Sequence, residues 1–246
     1  MAPGLENTLI VMPALNEEES VASVVSEVKS KLPGIAVLVV DDGSRDSTTE
    51  EALRAGALVA TLPFNLGVGG AMRTGFRFAV ANGFDNVVQI DSDGQHDPSG
   101  VSQLVSALSG ADLVVGARFA GAGDYPVRGP RRWAMKILAF VLSHSAKTKL
   151  TDTTSGYRAS GPRAVRLFAE HYPAEYLGDT IEALVLATRA GCVVRQVPVA
   201  MRPRAGGVPS HNPVRAAAYL GRAVLALGFA FVRPASTFQV RGDAIR

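Results

Sequence analysis

A single cysteine, Cys192, stands in 246 residues. It has no partner for an intramolecular disulfide and cannot build a cysteine-rich zinc site, and it makes a reducing cytoplasm the expected compartment. No basic stretch followed by an apolar block opens the chain, so no signal peptide is expected. The late segment "NPVRAAAYLGRAVLALGFAFVRP" lacks a charge-free run long enough to span a bilayer, because Arg215 and Arg222 interrupt it. It reads instead as a helix from about 213 to 232, with two settings open. One is a membrane interface with Tyr219, Phe229 and Phe231 on the apolar side; the other is a core or a contact between copies. A dinucleotide fingerprint is also missing, since G-x-G-x-x-G counted from Gly67 and Gly69 needs glycine where Met72 stands. The acidic run Glu17, Glu18 and Glu19 after the first strand would repel a pyrophosphate there. These absences argue against a nicotinamide enzyme.

What is present is a chain with 47% apolar residues, enough to bury the core of one α/β domain. Its net charge of +3 hides an uneven distribution. Residues 1–100 carry 6 Lys/Arg against 14 Asp/Glu, and residues 101–246 carry 19 against 8. The acidic part suits cations and sugar hydroxyls, and the basic part suits phosphate or an anionic surface. An arginine-rich composition with solvated charged faces would give the same pattern. No internal repeat and no low-complexity linker is visible.

Apolar runs alternate with helical spacing over residues 7–118. "NTLIVMPAL", "IAVLVVDDGS", "ALVATLP", "DNVVQIDSD" and "ADLVVGAR" read as strands, with a helix after each of the first four. This order predicts a doubly wound, mostly parallel sheet whose ligands sit beyond the C-terminal strand ends. Beyond Gly121 the pattern loosens. A basic glycine-rich stretch precedes a helix near 130–147, a loop "TDTTSGYRAS", helices near 162–170 and 179–190, a strand "CVVRQVPVAMRP" and a loop "RAGGVPSHNP".

The expected strand ends hold the chemistry. Asp91 and Asp93 close the fourth strand, and two neighbouring carboxylates repel unless a cation lies between them. Their hard oxygens, with the Gln95 amide, suit Mg²⁺ or Mn²⁺ holding a diphosphate. The alternative is an ordinary acidic loop, and His96 is open between a site role and packing. Asp41 and Asp42 can accept from a ribose or a base N–H, or serve a helix start where Ser44 or Asp46 is the N-cap. Arg118, Arg128, Arg131 and Arg132 can grip phosphate oxygens of an anionic acceptor, or line a solvated loop. Arg202, Arg204, Ser210 and His211 lie in a loop that could meet a bound diphosphate.

Taken in order, "PALNEE", "VVDDGSRDST", "NLGVGGAMRTG", "QIDSDGQHDP", "GAR", "DTTSGYRA" and "RAGGVPS" resemble the family 2 glycosyltransferases of the GT-A fold, most closely the dolichol- or polyprenyl-phosphate mannose synthase branch. The resemblance implies a Rossmann-like, mostly parallel sheet flanked by helices over residues 1–212, with an amphipathic helical segment and tail at 213–246. It places Pro13, Ala14, Asn16, Glu17, Asp41 and Asp42 on the nucleotide, and Asp91, Asp93 and Gln95 on a Mg²⁺ or Mn²⁺ ion. Arg118 with Arg131 or Arg132 falls at the acceptor phosphate, Asp152, Ser155 and Gly156 beside the sugar and acceptor, and Arg204 and Ser210 in a late loop. His211 departs from the lysine common there. The implied reaction is an inverting, metal-dependent transfer of a sugar, mannose or glucose, from a GDP- or UDP-sugar to polyprenyl phosphate. The implied place is peripheral, at the cytoplasmic membrane face, attached through the last helix or a membrane-protein partner. A homo-oligomer is open, and no nucleic acid is expected. Rival readings are a soluble transferase with a hydroxyl acceptor, using Asp152 or Asp179 as base, and an idle nucleotide-sugar-binding subunit.

Overall fold

The computed structural model describes residues 4–117, 143, 148, 150–173 and 179–202. The nearly unbroken apolar runs become strands because β-branched side chains fit a pleated surface covered on both faces. The strands, of which β1, β2 and β5 are such runs, are β1 Thr8–Ala14, β2 Ala36–Asp41, β3 Leu58–Thr61, β4 Asn86–Gln89, β5 Leu113–Ala117, β6 Arg158–Ser160 and β7 Val194–Pro198. The helices are α1 Val21–Lys31, α2 Thr48–Arg54, α3 Gly67–Ala81, α4 Val101–Ala107, α5 Pro162–His171 and α6 Asp179–Arg189.

The strands form one seven-stranded sheet in the order β3-β2-β1-β4-β6-β5-β7. Neighbouring pairs are parallel except where β6 runs antiparallel to both β4 and β5. The expected doubly wound sheet is therefore present, with one reversed strand that the reading of "TDTTSGYRAS" as a loop did not contain. Reversal brings the entry to β6, residues 152–157, to the same sheet edge as the exits of the other strands.

Side chains alternate across the sheet with the period of two that a strand imposes. Leu9, Val11, Leu38 and Val40 face the layer that contains Met72, Phe76, Phe168 and Leu184, from α3, α5 and α6. Ile10, Met12, Val37 and Val39 face the layer of α1 and α4, with Val24, Val28 and Leu104. Helix α3 lies flat on β1 because Gly75 has no side chain; a Cβ there would stand 2.4 Å from Val11 Cγ1. Phe76, Phe168 and Tyr172 close the α3–α5 seam, with ring centroids 5.1–5.3 Å apart.

One helix start differs from expectation. Ser47 stands at the N-cap of α2, and the helix begins at Thr48. Asp46 still serves that end, accepting the Thr48 N–H at 3.1 Å, whereas Ser44 is used elsewhere. Among the described residues no helix is long and apolar enough to cross a membrane. The division at residue 212, the helix near 130–147 and the helix from 213 lie wholly or almost wholly outside the described residues.

Candidate active site

Four loops leave the C-terminal ends of β1, β2, β3 and β4, and hydrogen bonds lace them together. Asn16 takes the left-handed conformation at φ 55° just after β1, a position few residues other than Gly, Asn and Asp adopt cheaply. Its N–H donates to Ser44 Oγ at 2.9 Å, and its Oδ1 accepts the Arg45 N–H at 2.9 Å. The Glu17 N–H donates to Thr48 Oγ1 at 2.8 Å, while Ser20 Oγ donates to the Glu17 carboxylate at 2.7 Å. The carbonyls of Pro13 and Ala14 accept from Ser92 Oγ and the Asp42 N–H. The first nucleotide-loop candidates are thus tied to both neighbouring strand ends.

Asp41 and Asp42 are both buried. Asp41 accepts the Ser44 N–H and the Thr49 hydroxyl, which folds the turn after β2. Asp42 turns the other way and accepts the N–H groups of Leu66 and Gly67 at 2.7 and 2.8 Å, at the start of α3. Burial raises the Asp42 carboxyl above its ordinary value, with those two amides opposing the rise. Asp42 thus serves the start of α3, whereas the N-cap expected at Ser44 or Asp46 falls on Ser47.

Asp91 lies past the end of β4 with its side chain 37% exposed, and Asp93 is nearly buried at 8%. Asp93 Oδ1 accepts the Gln95 N–H at 3.0 Å, which closes the D-x-D-x-Q turn on itself. Gln89 Nε2 donates to Asp91 Oδ1 at 3.2 Å, and the missing side chain of Gly156 leaves room for the carboxylate. Among the described residues no three His, Cys, Asp or Glu side chains gather to hold a metal ion. Two carboxylates and one amide on a single turn are an incomplete set of hard oxygen donors. Such a set fits a Mg²⁺ or Mn²⁺ ion whose other positions are filled by a diphosphate and water.

The loop 152–157 faces this turn from the β6 side. Asp152 is wholly buried, and its Oδ1 accepts from the N–H and hydroxyl of Thr154. Ser155 is also buried, and its Oγ accepts the Tyr157 N–H. Two residues that sequence reasoning passed over hold the loop. Arg158 is buried and donates to the carbonyls of Ser155, Thr153 and Thr180. Gln196 on β7 accepts the N–H groups of Thr151 and Asp152. An arginine inside "SGYRAS" was the one local sign.

The D-x-D turn is anchored behind by a ring of four charges. Lys31 lies 2.9 Å from Glu27 and 2.8 Å from Asp97, and Arg202 lies 2.8 Å from each of the same two carboxylates. Burial alone would raise the Asp97 carboxyl, but hydrogen bonds from Lys31, the Ser99 N–H and Arg202 hold it well below the usual carboxylate range. The Arg202 N–H also donates to the Gln95 carbonyl at 2.9 Å, and Met201 pairs with His96 in an antiparallel bridge.

Pro13, Ala14, Asn16, Glu17, Asp41, Asp42, Asp91, Asp93, Gln95, Asp152 and Ser155 thus belong to one edge of the sheet. Arg118, Arg128, Arg131, Arg132, Arg204, Ser210 and His211 lie outside the described residues, as does the side chain of Asp179.

A family model described as Glycosyl transferase family 2 matches residues 9–168. The polyprenol monophosphomannose synthase of Mycolicibacterium smegmatis is 34% identical over 169 residues, 63% of this chain and 61% of that protein. The undecaprenyl-phosphate mannosyltransferase of Micrococcus luteus is 30% identical over 201 residues, 78% of this chain and 82% of that protein. Among solved structures, glucosyl-3-phosphoglycerate synthase of Mycobacterium tuberculosis, in complex with Mn²⁺, UDP and glucosyl-3-phosphoglycerate, superposes with a TM-score of 0.70 at 25% identity. The match covers 92% of this chain and 80% of that one. Another structure of that synthase holds Mg²⁺ and UDP.

Proposed function

The chain belongs to glycosyl transferase family 2, and from that membership we propose that it is an inverting transferase moving a sugar, mannose or glucose, from a GDP- or UDP-sugar to polyprenyl phosphate. The observation that carries the reading is the pair Asp91 and Asp93 at the exit of β4, one partly exposed and one buried, on a turn braced from three sides. The two mannosyltransferase relatives support the lipid acceptor.

A metal ion held by Asp91, Asp93 and Gln95 would supply positive charge to the departing nucleoside diphosphate. The chain's own groups do the remainder. The β1 and β2 loops, with Pro13, Ala14, Asn16, Glu17, Asp41 and Asp42, would bind the nucleoside. Arg204 and Ser210 would approach the diphosphate. Arg118 with Arg131 or Arg132 would hold the acceptor phosphate so that one of its oxygens attacks the anomeric carbon opposite the leaving group. A lipid phosphate is already anionic, so this transfer needs no strong base. Asp152 agrees with that economy, since it is wholly buried and shapes the loop beside Ser155. Its role here is to place that loop against sugar and acceptor. The basic second part of the chain and the segment 213–246 would bring the enzyme to the cytoplasmic face of the membrane.

A second reading has its own support in the likeness to the phosphoglycerate-using synthase: transfer to a small soluble hydroxyl acceptor. Release of nucleoside diphosphate from a panel of GDP- and UDP-sugars, with Mg²⁺ or Mn²⁺ and with or without polyprenyl phosphate, separates the two. Lipid-dependent release with one donor is expected. Release indifferent to lipid would favour the hydroxyl acceptor, and no release with any donor would leave a binding subunit.

A further inference from the structure

We propose that His96 is a positioning residue that orients Asp91 for its ligand by holding the backbone of that one residue. The inference rests on the reading of Asp91 as a metal ligand. Its basis is geometric. His96 is 2% exposed, and its Nδ1 accepts the Asp91 N–H at 3.0 Å. A ring nitrogen that accepts carries no proton, so the single N–H of the neutral ring is at Nε2. That nitrogen lies 3.6 Å from Asp91 Oδ2. Asp91 Oδ1 meanwhile receives Gln89 Nε2 at 3.2 Å. The Asp91 backbone is thus held by His96 and its carboxylate by Gln89, while His96 Nε2 stands beyond hydrogen-bond reach of Oδ2. Supporting contacts of this kind fix ligating side chains in direction and basicity.

The ring itself has little freedom. It stacks on Tyr157 with centroids 4.8 Å apart and planes 14° apart, and the Tyr157 hydroxyl donates to the Asp97 carbonyl at 2.7 Å. Burial, with the Asp97 charge added, pushes the Tyr157 phenol well above its ordinary value, so it remains a donor. On the other side the residue is held by its bridge to Met201. The ordering runs from Tyr157 to His96 to Asp91, and Gly156 beside Tyr157 leaves the room into which the carboxylate fits.

The test uses the full chain and calorimetric titration with UDP and with GDP, each with and without Mn²⁺. The nucleotide that wild type binds better is the probe. H96F keeps an aromatic ring but no nitrogen; H96N restores an acceptor near the Nδ1 position; H96Q places an amide near Nε2. The expected result is that H96F loses at least tenfold of the Mn²⁺-assisted gain in nucleotide affinity, with metal-free affinity unchanged, and that H96N recovers part of it. If H96F does not fold, H96Q against H96N carries the same comparison. A folded H96F or H96Q with the wild-type Mn²⁺ gain would overturn the proposal alone. Equal losses with and without metal, unrelieved in H96N, would also overturn it and make His96 a packing residue. Wild type showing no Mn²⁺ gain, with D93A indistinguishable from it, would overturn the metal reading and this inference together.

Discussion

At Gly156 the absent side chain is what the site uses. Its φ is not in the left-handed region, so the cost of a side chain there comes from contact, not from backbone strain. A Cβ would stand 3.1 Å from Gln89 Nε2 and 3.3 Å from each Asp91 carboxylate oxygen, so the Gln89 amide and the carboxylate it holds would both have to give way by a few tenths of an ångström. Because Asp91 is partly exposed, it can swing outward, and the change should affect ligand orientation more than folding. G156A is expected to lower Mn²⁺-assisted nucleotide affinity about tenfold, while its stability in urea denaturation falls by less than the roughly 1–3 kcal/mol of a crowded core substitution. Titration of folded G156A with unchanged affinity would show that Asp91 does not need its present direction.

Helix α3 shows the same economy at the level of an element. It starts where the Asp42 carboxylate accepts two of its free N–H groups, and it lies on β1 through Gly75. D42A removes the acceptor of the Leu66 N–H and one of the two acceptors of the Gly67 N–H, which also reaches Asn65 Oδ1 at 2.9 Å, and should cost about 1 kcal/mol in urea denaturation, with D42N recovering part. A loss under about 0.3 kcal/mol would mean that Asn65 and water together satisfy the helix start equally well. The elements that could be read in the sequence were those whose signal is local. The apolar runs of β1, β2 and β5 and the spacing of α1 and α3 declare themselves, and a doubly wound order then puts Asp41, Asp42, Asp91 and Asp93 on one edge. Strand β6 escaped because it has three residues, begins with an arginine and is a strand only through pairing with β4 and β5. Arg158, Gln196 and the part His96 plays escaped for a related reason. Their partners are set by the approach of segments distant in sequence, as when Gln196 on β7 meets the N–H groups of Thr151 and Asp152. Residue type alone does not encode such a meeting.

Across the whole molecule, the ring of Glu27, Lys31, Asp97 and Arg202 joins three distant parts of the chain: α1, the D-x-D turn and the stretch after β7. Its members are roughly one quarter to one third exposed, so single pairs contribute little, and the value of the ring lies in the closed network. The direction of each shift sets its pH dependence. The Asp97 carboxyl is held low by donors that outweigh its burial, and the Glu27 carboxyl is lowered chiefly by the Lys31 hydrogen bond, with Arg202 adding to it. A depressed carboxylate contributes stability that is complete above its unfolded value, about 4, and lost as pH falls through the lower folded value. Lys31 and Arg202 are raised, by the hydrogen bonds they donate to the same two carboxylates, so their contribution persists up to strongly alkaline pH. The ring should therefore hold from pH 5 to 9 and fail in acid below about pH 4. R202M, which keeps a long side chain and removes the charge, should lower stability at pH 7 by about 1 kcal/mol and flatten the acid decline. Urea midpoints measured from pH 3 to 9 check both expectations at once. An R202M profile parallel to wild type at every pH would mean that the ring does not couple these parts of the fold. A profile that converges with wild type only in acid would mean that the charges hold α1 and the stretch after β7 against the turn carrying Asp91 and Asp93.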